Sequence, residues 1–341
     1  MDEADRSLPH RPESRRRRRL IGALAALGAT GACAHDALPP TAATAGLDAV
    51  PRAPSPAISF ALLGDVPYRP SEVANLPALL ADVSAHAHFA IHVGDIKSGI
   101  EPCSDQLLTA RINALSQIRI PLVYTPGDNE WTDCWRGPAG EHDPLERLQW
   151  LRKQVFSRRE PLLGRFSEPL PFFGLLKQSE VEGGLPENLL WQVEGVVFVT
   201  LNVPGSDHGR RAPIDEAEHR AREDANRRWL DHALKIAAAS QARCLAIAVH
   251  ANPEFGRGLV VTRPLGEDPY AGFRRELARL LERFSGHVLL MHGDTHRFRV
   301  NRIAPRLTRV ESFGSPFSSA WVRISIRPGD ADPFSVDARG S

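Results

Sequence analysis

The chain has 341 residues, of which 42% are apolar and 24% are charged, a composition that can bury a core and excludes an intrinsically disordered protein. Its 42 Lys and Arg residues balance 41 Asp and Glu residues to a net charge of +1, which argues against a nucleic-acid-binding patch because such proteins carry a basic excess. The 26 Gly and 28 Pro residues predict many loops and exclude a coiled coil.

The N-terminus has the organisation of an export signal. Five consecutive arginines at 15–19 precede an uncharged run of thirteen residues at 20–32. Because this run is too short to cross a bilayer of about 30 Å as a helix, we expect no transmembrane helix. It matches instead the apolar part of a secretory signal, with small residues for cleavage at 32–34. Residues 17–21 are also typical of a twin-arginine signal.

We therefore predict export to the periplasm, with residues 1–34 as the signal peptide and residues 35–56, rich in Ala, Pro and Thr, as a linker. Cleavage leaves 35 basic and 37 acidic residues, so the mature charge gives no reason to expect a polyanion partner. Two alternatives stay open, a basic disordered tail and a lipid-modified Cys33. The second is weaker because the three residues before Cys33 include no leucine. Nothing in the sequence indicates an oligomeric state.

Short apolar runs alternate with helical patterns along the first half of the remaining chain. Strands are predicted at 58–63, 89–93 and 121–124, and helices around 76–83 and 105–117. This alternation favours a largely parallel, buried sheet. The scattered Pro, Gly and charged residues of 157–190 predict a long irregular insertion.

The second half continues the alternation. The pattern predicts a hairpin at 191–200, a helix at 214–239, a strand at 244–249, a helix at 270–284 and a strand at 288–291. The alternating apolar residues of the tail predict antiparallel strands that finish a second sheet. We predict one α/β domain over 57–328, a two-sheet β-sandwich flanked by helices, followed by a C-terminal tail at 329–341.

Three cysteines remain after the predicted cleavage, and in an oxidising compartment two of them can pair. Cys103 and Cys134 both lie in predicted loops and are the candidate disulfide. Cys244 lies in an apolar run and is predicted to be a buried thiol.

Six acidic and imidazole residues follow predicted strands directly. They are Asp65, Asp95, Asp128, His250, Asp294 and His296. Side chains just beyond the carboxyl ends of strands converge on one crevice in an open α/β sheet. Four carboxylates gathered there would repel one another, and two divalent cations would neutralise them. Oxygen and imidazole ligands suit Mn, Fe, Zn or Mg, so we predict a site for two divalent metal ions.

The order of these residues resembles that of the calcineurin-like metallophosphoesterases, from about residue 58 to about residue 300. The family has five motifs in a fixed order, namely Asp-x-His, Gly-Asp, Gly-Asn-His-Asp/Glu, a lone His and Gly-His-x-His. The corresponding segments of this chain, in the same order, are Gly64-Asp65-Val66-Pro67, Gly94-Asp95, Gly127-Asp128-Asn129-Glu130, His250 and Gly293-Asp294-Thr295-His296. The resemblance implies a four-layer α/β/β/α fold. It also implies a metal-dependent hydrolase of phosphoester bonds whose dinuclear metal site activates a water nucleophile on a small-molecule phosphoester.

The resemblance also implies a ligand set. The first metal is held by Asp65, Asp95 and His296, and the second by Asp128, His250 and Asp294, with Asp95 bridging the two. Two departures affect the chemistry. Pro67 replaces a histidine ligand, and Asn129 replaces the catalytic histidine with an amide that cannot act as an acid. His292, two residues before Asp294, is the candidate replacement for that acid or a further ligand.

Three residues are candidates for binding the substrate. Lys97 follows Asp95 closely and is predicted at the mouth of the site, where an ammonium can pair with phosphate, with an exposed loop lysine as the alternative. Asn129 and Asn202 are the other two. Because the family's acid is absent, a non-catalytic protein that binds metal or a phosphate ligand is the alternative function. An unrelated periplasmic binding module would instead leave the aspartates scattered.

Overall fold

The computed structural model describes residues 58–166, 173–257, 259, 268–317 and 320–340. The predicted export signal at 1–34, Cys33 and the predicted linker at 35–56 lie outside the described residues. Among the residues that are described, no helix has both the length and the apolarity needed to cross a bilayer.

The first sheet has five strands. They are β1 (Ile58–Leu63), β2 (Phe89–His92), β3 (Leu122–Tyr124), β11 (Trp321–Ile326) and β12 (Phe334–Arg339). Their order is β12-β11-β1-β2-β3, in which β1, β2 and β3 are parallel and β11 and β12 are antiparallel to their neighbours. Every residue of the three parallel strands is buried, which is why they appear in the sequence as continuous apolar runs.

The second sheet has seven strands. They are β4 (Phe173–Lys177), β5 (Leu189–Val193), β6 (Val196–Thr200), β7 (Cys244–Ala248), β8 (His287–His292), β9 (Arg299–Ala304) and β10 (Leu307–Glu311). Their order is β4-β5-β6-β7-β8-β10-β9. The central strands β6, β7, β8 and β10 are parallel, and the hairpins β4–β5–β6 and β9–β10 are antiparallel.

Six α-helices accompany the sheets in the part of the chain that the structure describes. They are α1 (Pro70–His86), α2 (Asp105–Leu115), α3 (Pro144–Leu151), α4 (Gln178–Val181), α5 (Glu216–Ala239) and α6 (Ala271–Arg283). Three begin at a residue whose side chain accepts a backbone hydrogen bond from the first turn, namely Ser104 before α2, Asp143 before α3 and Asp215 before α5. Such caps satisfy N–H groups that the helix itself leaves unpaired.

Three apolar clusters hold four layers together. Between the sheets, Phe60 stacks on Phe89 at 5.1 Å and Trp191 stacks on Phe198 at 5.1 Å between ring centroids. A second cluster packs α1, α2 and α3 on the outer face of the first sheet. A third packs α5 and α6 on the outer face of the second sheet. The layers therefore run α/β/β/α, and the predicted two-sheet fold is confirmed.

The C-terminal strands differ from the sequence expectation. Strands β9 and β10 do finish the second sheet, but β11 pairs with β1, from Ile58 opposite Ile326 to Leu62 opposite Val322, in the first sheet. Residues 334–339, placed by the sequence in a tail, form the edge strand β12. The insertion predicted as irregular contains β4 and the single turn α4.

Candidate metal centre

Four of the six predicted ligands occupy turns with a left-handed backbone. The φ angles are 56° at Asp65, 58° at Asp95, 77° at Asp294 and 57° at His296. Aspartate tolerates this conformation better than most residues because its short polar side chain can bond locally. Each of these residues follows the end of a strand, so the chain turns away while the side chain stays at the rim of the sheet.

Two glycines allow the backbone to come close to these carboxylates. A Cβ atom at Gly127 would lie 2.1 Å from Asp95 Oδ1, and one at Gly293 would lie 2.3 Å from Asp65 Oδ2. Both distances are far shorter than a van der Waals contact. A side chain at either position would therefore displace the carboxylate.

The six predicted ligands meet at one rim between the two sheets. His250 Nε2 lies 3.3 Å from Asp128 Oδ1, 3.4 Å from Asp95 Oδ1 and 3.9 Å from Asp294 Oδ1. On the other side, His296 Nε2 lies 3.4 Å from Asp65 Oδ1. The backbone N–H of Asp294 joins the two groups by donating to both oxygens of Asp65, at 3.0 and 3.1 Å.

Both histidines are oriented as metal ligands usually are. Nδ1 of His250 lies 2.7 Å from the carbonyl oxygen of Val93, and Nδ1 of His296 lies 2.8 Å from that of Ser315. A ring that donates through Nδ1 keeps a lone pair on Nε2 for a cation. Within the described part of the chain, the buried Nε2 of His250 has no hydrogen-bond partner. Two trios, Asp65–Asp95–His250 and Asp128–His250–Asp294, each have ligand atoms close enough to share one ion. Both trios use His250 Nε2, which can bind a single ion, so the geometry shows that the rim fits divalent metal.

The electrostatics of the rim also favour cations. Burial raises the pKa of the Asp95 carboxyl well above its usual range and that of Asp294 to about 7, and the neighbouring Asp128 carboxylate adds to both. Burial alone would lower the pKa of His250, but Asp95 and Asp128 hold it well above its usual value. Burial also works to raise the pKa of Asp128, yet the positive charge of the neighbouring His250 brings it below the usual range. Divalent ions would relieve the repulsion between these carboxylates.

Three donors from two residues fix the bridging candidate Asp95. The backbone N–H of Asn129 donates to Oδ1 at 3.0 Å, and its side-chain amide donates to Oδ2. The Tyr68 hydroxyl also donates to Oδ2, at 2.7 Å, and its oxygen lies 3.4 Å from His296 Nε2. Asn129 thus lies in the cleft as an orienting amide. Sequence reasoning missed Tyr68, although its place three residues after Asp65 on the same turn was a usable signal.

A loop from the second sheet covers the other side of the site. Ser206 Oγ lies 2.7 Å from Asp128 Oδ2 and 2.9 Å from Asp133 Oδ2. Arg136 pairs with Asp133 at 2.7 Å and donates to Ser206 Oγ at 3.0 Å. Burial, followed by the charge of Asp128, raises the pKa of Asp133 to about 7. No motif in the sequence indicated this loop.

Lys97 does not lie at the mouth of the site. Its side chain is fully buried, and its ammonium donates to the carbonyl oxygens of Ser98 at 3.0 Å and Glu101 at 2.9 Å. Both sequence expectations, a phosphate-binding lysine and an exposed loop lysine, are therefore incorrect. The physical reason is that the surrounding loop supplies backbone acceptors that satisfy the ammonium internally.

Asn202 and His292 are also kept from the cleft. Asn202 is fully buried, and its amide donates to Glu187 Oε1 at 2.8 Å on the far side of the second sheet's hairpin. His292 is fully buried at the end of β8, where Nδ1 lies 2.9 Å from the carbonyl oxygen of Gly293 and burial lowers its pKa to about 3. Neither residue lines the cleft, so neither can bind substrate or replace the missing acid there.

Covalent and hydrogen bonds support the turn that carries Asp128. Cys103 and Cys134 form a disulfide, which ties the loop before α2 to this turn. Glu130 accepts hydrogen bonds from the backbone of Ile96 at 2.9 Å and from the Tyr124 hydroxyl at 3.0 Å. Cys244 is buried and pairs with no other described cysteine.

The ligands open onto a cleft of about 400 Å³. Asp95, Asp128, Asp294 and His296 form its floor, and Arg136 and Arg211 lie on its wall (both are also paired with acids). Guanidinium groups bind phosphate oxygens well. The cleft therefore combines a floor that suits cations with a wall that can attract an anion.

No family model and no curated protein matches the sequence. The chain is similar to a solved dimetal phosphatase from Danio rerio, with 13% identity over 84% of this chain and 96% of that one, at a TM-score of 0.49. It is also similar to a 5'-nucleotidase from Candida albicans, with 11% identity over 83% of this chain and 52% of that one, at a TM-score of 0.43. The chain is also similar to a purple acid phosphatase from yellow lupin (Lupinus luteus), with 11% identity over 84% of this chain and 54% of that one, at a TM-score of 0.45. The chain thus spans about half the length of the last two.

Proposed function

We propose that the chain is a metal-dependent hydrolase of phosphoester bonds, of the calcineurin-like metallophosphoesterase kind. The observation that supports this most is the convergence of four carboxylates and two imidazoles at one rim. This arrangement is costly for an empty protein site, because the charged groups repel one another and their burial removes hydration.

The ligand roles follow from the two sides of the rim. By the family resemblance, one divalent ion would be held by Asp65, Asp95 and His296, and the other by Asp128, His250 and Asp294, with Asp95 serving both. Bound ions of this kind polarise phosphoryl oxygens and make water a nucleophile near neutral pH. Mn, Fe, Zn and Mg all suit these oxygen and nitrogen donors.

The remaining cleft residues orient the metal ligands or bind the substrate. Tyr68 and Asn129 hold Asp95 in place, and Arg136 and Arg211 attract the phosphate of the substrate. Among the described residues that line the cleft, His296 is the only histidine, and it is already assigned to a metal ion. We therefore infer a preference for substrates whose leaving group needs no proton, as aryl phosphates do not.

The second candidate is a protein that binds metal or a phosphate ligand without turnover. Two observations favour it specifically. Asn129 stands where the family has its catalytic histidine, and the side chain of His292 is buried away from the cleft. Activity measurements separate the two candidates.

The test is to measure the metal content of the purified full chain together with its turnover of aryl phosphate monoesters and diesters. We expect the cleft to hold about two equivalents of divalent transition metal, and we expect Asp95→Asn to lose metal from the cleft and at least about a hundredfold in turnover, because both cleft sites depend on this carboxylate. Asp332→Asn, which removes a carboxylate paired with Arg302 on the surface, is the matched control and should retain both properties. Metal without turnover would favour the binding protein, and a metal-free protein that takes up no added metal would contradict both.

We further propose that the chain is exported to the periplasm through its N-terminal signal. The disulfide between Cys103 and Cys134 supports this, because such bonds persist in oxidising compartments. An exported enzyme would act on small phosphoesters outside the cytoplasm.

A further inference from the structure

A second group of ligand-type side chains lies apart from the six at the rim. His219 and Glu223 are four residues apart on α5 and therefore share one face of the helix. His208 lies on the loop before α5. Glu223 Oε1 is 3.5 Å from His219 Nε2 and 3.6 Å from His208 Nδ1, and the two imidazole rings are 4.6 Å apart between centroids.

Three ring nitrogens of this group are buried beyond hydrogen-bond distance of any described acceptor or donor. His208 is 1% exposed and His219 is 4% exposed. Within the described part of the chain, both ring nitrogens of His208 and Nε2 of His219 have no hydrogen-bond partner. Native structures rarely leave buried polar atoms unpaired, because the lost hydration is not replaced. The ring nitrogens that face Glu223 are therefore available to bind an ion.

We propose that His208, His219 and Glu223 bind a divalent transition-metal ion, with Zn²⁺ the best match, at a site separate from the cleft. Ligand atoms at about 2.0–2.1 Å from a tetrahedral Zn²⁺ stand about 3.4 Å from one another. The observed separations of 3.5 and 3.6 Å agree with this spacing and are long for hydrogen bonds. Two imidazoles and a carboxylate leave a fourth position for water, and a cavity of about 130 Å³ beside His208 and Glu223 has room for it.

The positive charge of Arg222 next to the site is compensated. Its guanidinium pairs with Glu218 through Nε at 3.0 Å and Nη2 at 3.3 Å, and Nη2 also lies 3.1 Å from the carbonyl oxygen of His208 and 3.2 Å from His219 Nδ1. Nη2 carries two hydrogens for these three acceptors. It can therefore release His219 Nδ1, which has to carry the ring proton when a metal takes Nε2.

The ion would support the wall of the cleft. Ser206, Asp207 and His208 have consecutive left-handed φ angles of 51°, 57° and 60°, a strained arrangement that persists only where surrounding contacts enforce it. A metal bridge from His208 to α5 would supply such a contact. Because Ser206 lies against Asp128, the bridge would also hold the loop at the cleft.

The test uses the full chain with the cleft disabled by the double substitution Asp95→Asn and Asp128→Asn. This background is titrated with Co²⁺, and metal equivalents and visible absorption are measured. We expect one equivalent to remain, with the absorption bands of a four-coordinate ion. Adding Glu223→Gln should weaken Co²⁺ binding at least about a hundredfold, since one of three ligands is lost. Glu216→Gln, also on α5 but paired with Arg210 at the surface, is the matched control and should bind as the background does.

A second measurement covers the case in which Glu223→Gln does not fold. X-ray absorption of the Zn²⁺-loaded background itself should show two imidazole ligands and one carboxylate. Either no remaining equivalent, or an equivalent that Glu223→Gln leaves unchanged, would overturn the proposal. None of these measurements uses turnover, so absence of phosphoester hydrolysis in the unmodified protein would count against the proposed function alone.

Discussion

The carboxylate of Asp95 is held by more donors than its position on a turn requires. The backbone of Asn129 donates to one oxygen, and Tyr68 and the Asn129 amide donate to the other. A bridging carboxylate has to present both oxygens in fixed directions, and donors of this kind fix a ligand before the ion arrives. Tyr68 is therefore the residue whose contribution we expect to be measurable in isolation.

We expect Tyr68→Phe to lower metal affinity about tenfold and kcat/KM for an aryl phosphate about 10- to 100-fold, because it removes one donor to Asp95 without changing the shape of the side chain. Metal titration and steady-state kinetics measure the two effects. Tyr124→Phe is the comparison variant, since it removes a phenolic donor from Glu130, a carboxylate that supports the Asp128 turn without lining the cleft. If both variants behave alike, Tyr68 has no special role in the site.

Individual residues show what the sequence could and could not reveal. The clustering of the six candidate ligands was predictable because each follows a strand and parallel strand ends share one edge. Lys97 was assigned wrongly because closeness to Asp95 in sequence says nothing of side-chain direction, and its own loop binds the ammonium. Ser206 reaches Asp128 from 78 residues away in sequence, so no local pattern could indicate it.

Single elements also depend on long-range bonds. The turn after β3 carries both Asp128 and Asn129, and the carbonyl oxygen of Asp128 accepts hydrogen bonds from the N–H groups of Trp131 and Asp133 within the turn. The disulfide closes a separation of 31 residues between this turn and the start of α2. It restrains the unfolded chain over that length.

We expect reduction of this disulfide, or the double substitution Cys103→Ser and Cys134→Ser, to lower the free energy of unfolding by about 3 kcal/mol through loop-closure entropy. Urea unfolding with and without reductant measures the change. Reductant should have no further effect on the double variant, because Cys244 pairs with no other described cysteine. An unchanged urea midpoint for the reduced native sequence would show that the bond contributes no stability.

The pairing of the C-terminal strands shows what the sequence pattern of a single element cannot predict. Alternating apolar residues identify β11 as a strand, because one face of it is buried against the other sheet. The same pattern suits an edge of either sheet. Its pairing with β1 is decided by contacts between residues 260 or more positions apart, and sequence periodicity carries no information on them.

For the whole molecule, the rim joins the two sheets. Asp65, Asp95 and Asp128 follow strands of the first sheet, and His250 and Asp294 follow strands of the second. Apart from the apolar layer between the sheets, these side chains form the polar connection between the two halves of the sandwich. Ions bound there would stabilise the packing of one sheet on the other.

Removal of metal should therefore lower the stability of the entire domain. Ligand present at 100 times its Kd stabilises the folded state by about 2.7 kcal/mol, and for a domain of this size that corresponds to a fall in Tm of about 5–10 °C on chelation. Repulsion among the uncovered carboxylates acts in the same direction. Thermal melts recorded before chelation, after chelation and after Mn²⁺ or Zn²⁺ is added back measure this change in Tm. Recording them in the Glu223→Gln variant removes the contribution of the proposed site at His208, His219 and Glu223. A Tm that chelation leaves unchanged in a protein shown to contain metal would mean that the ions do not link the two sheets.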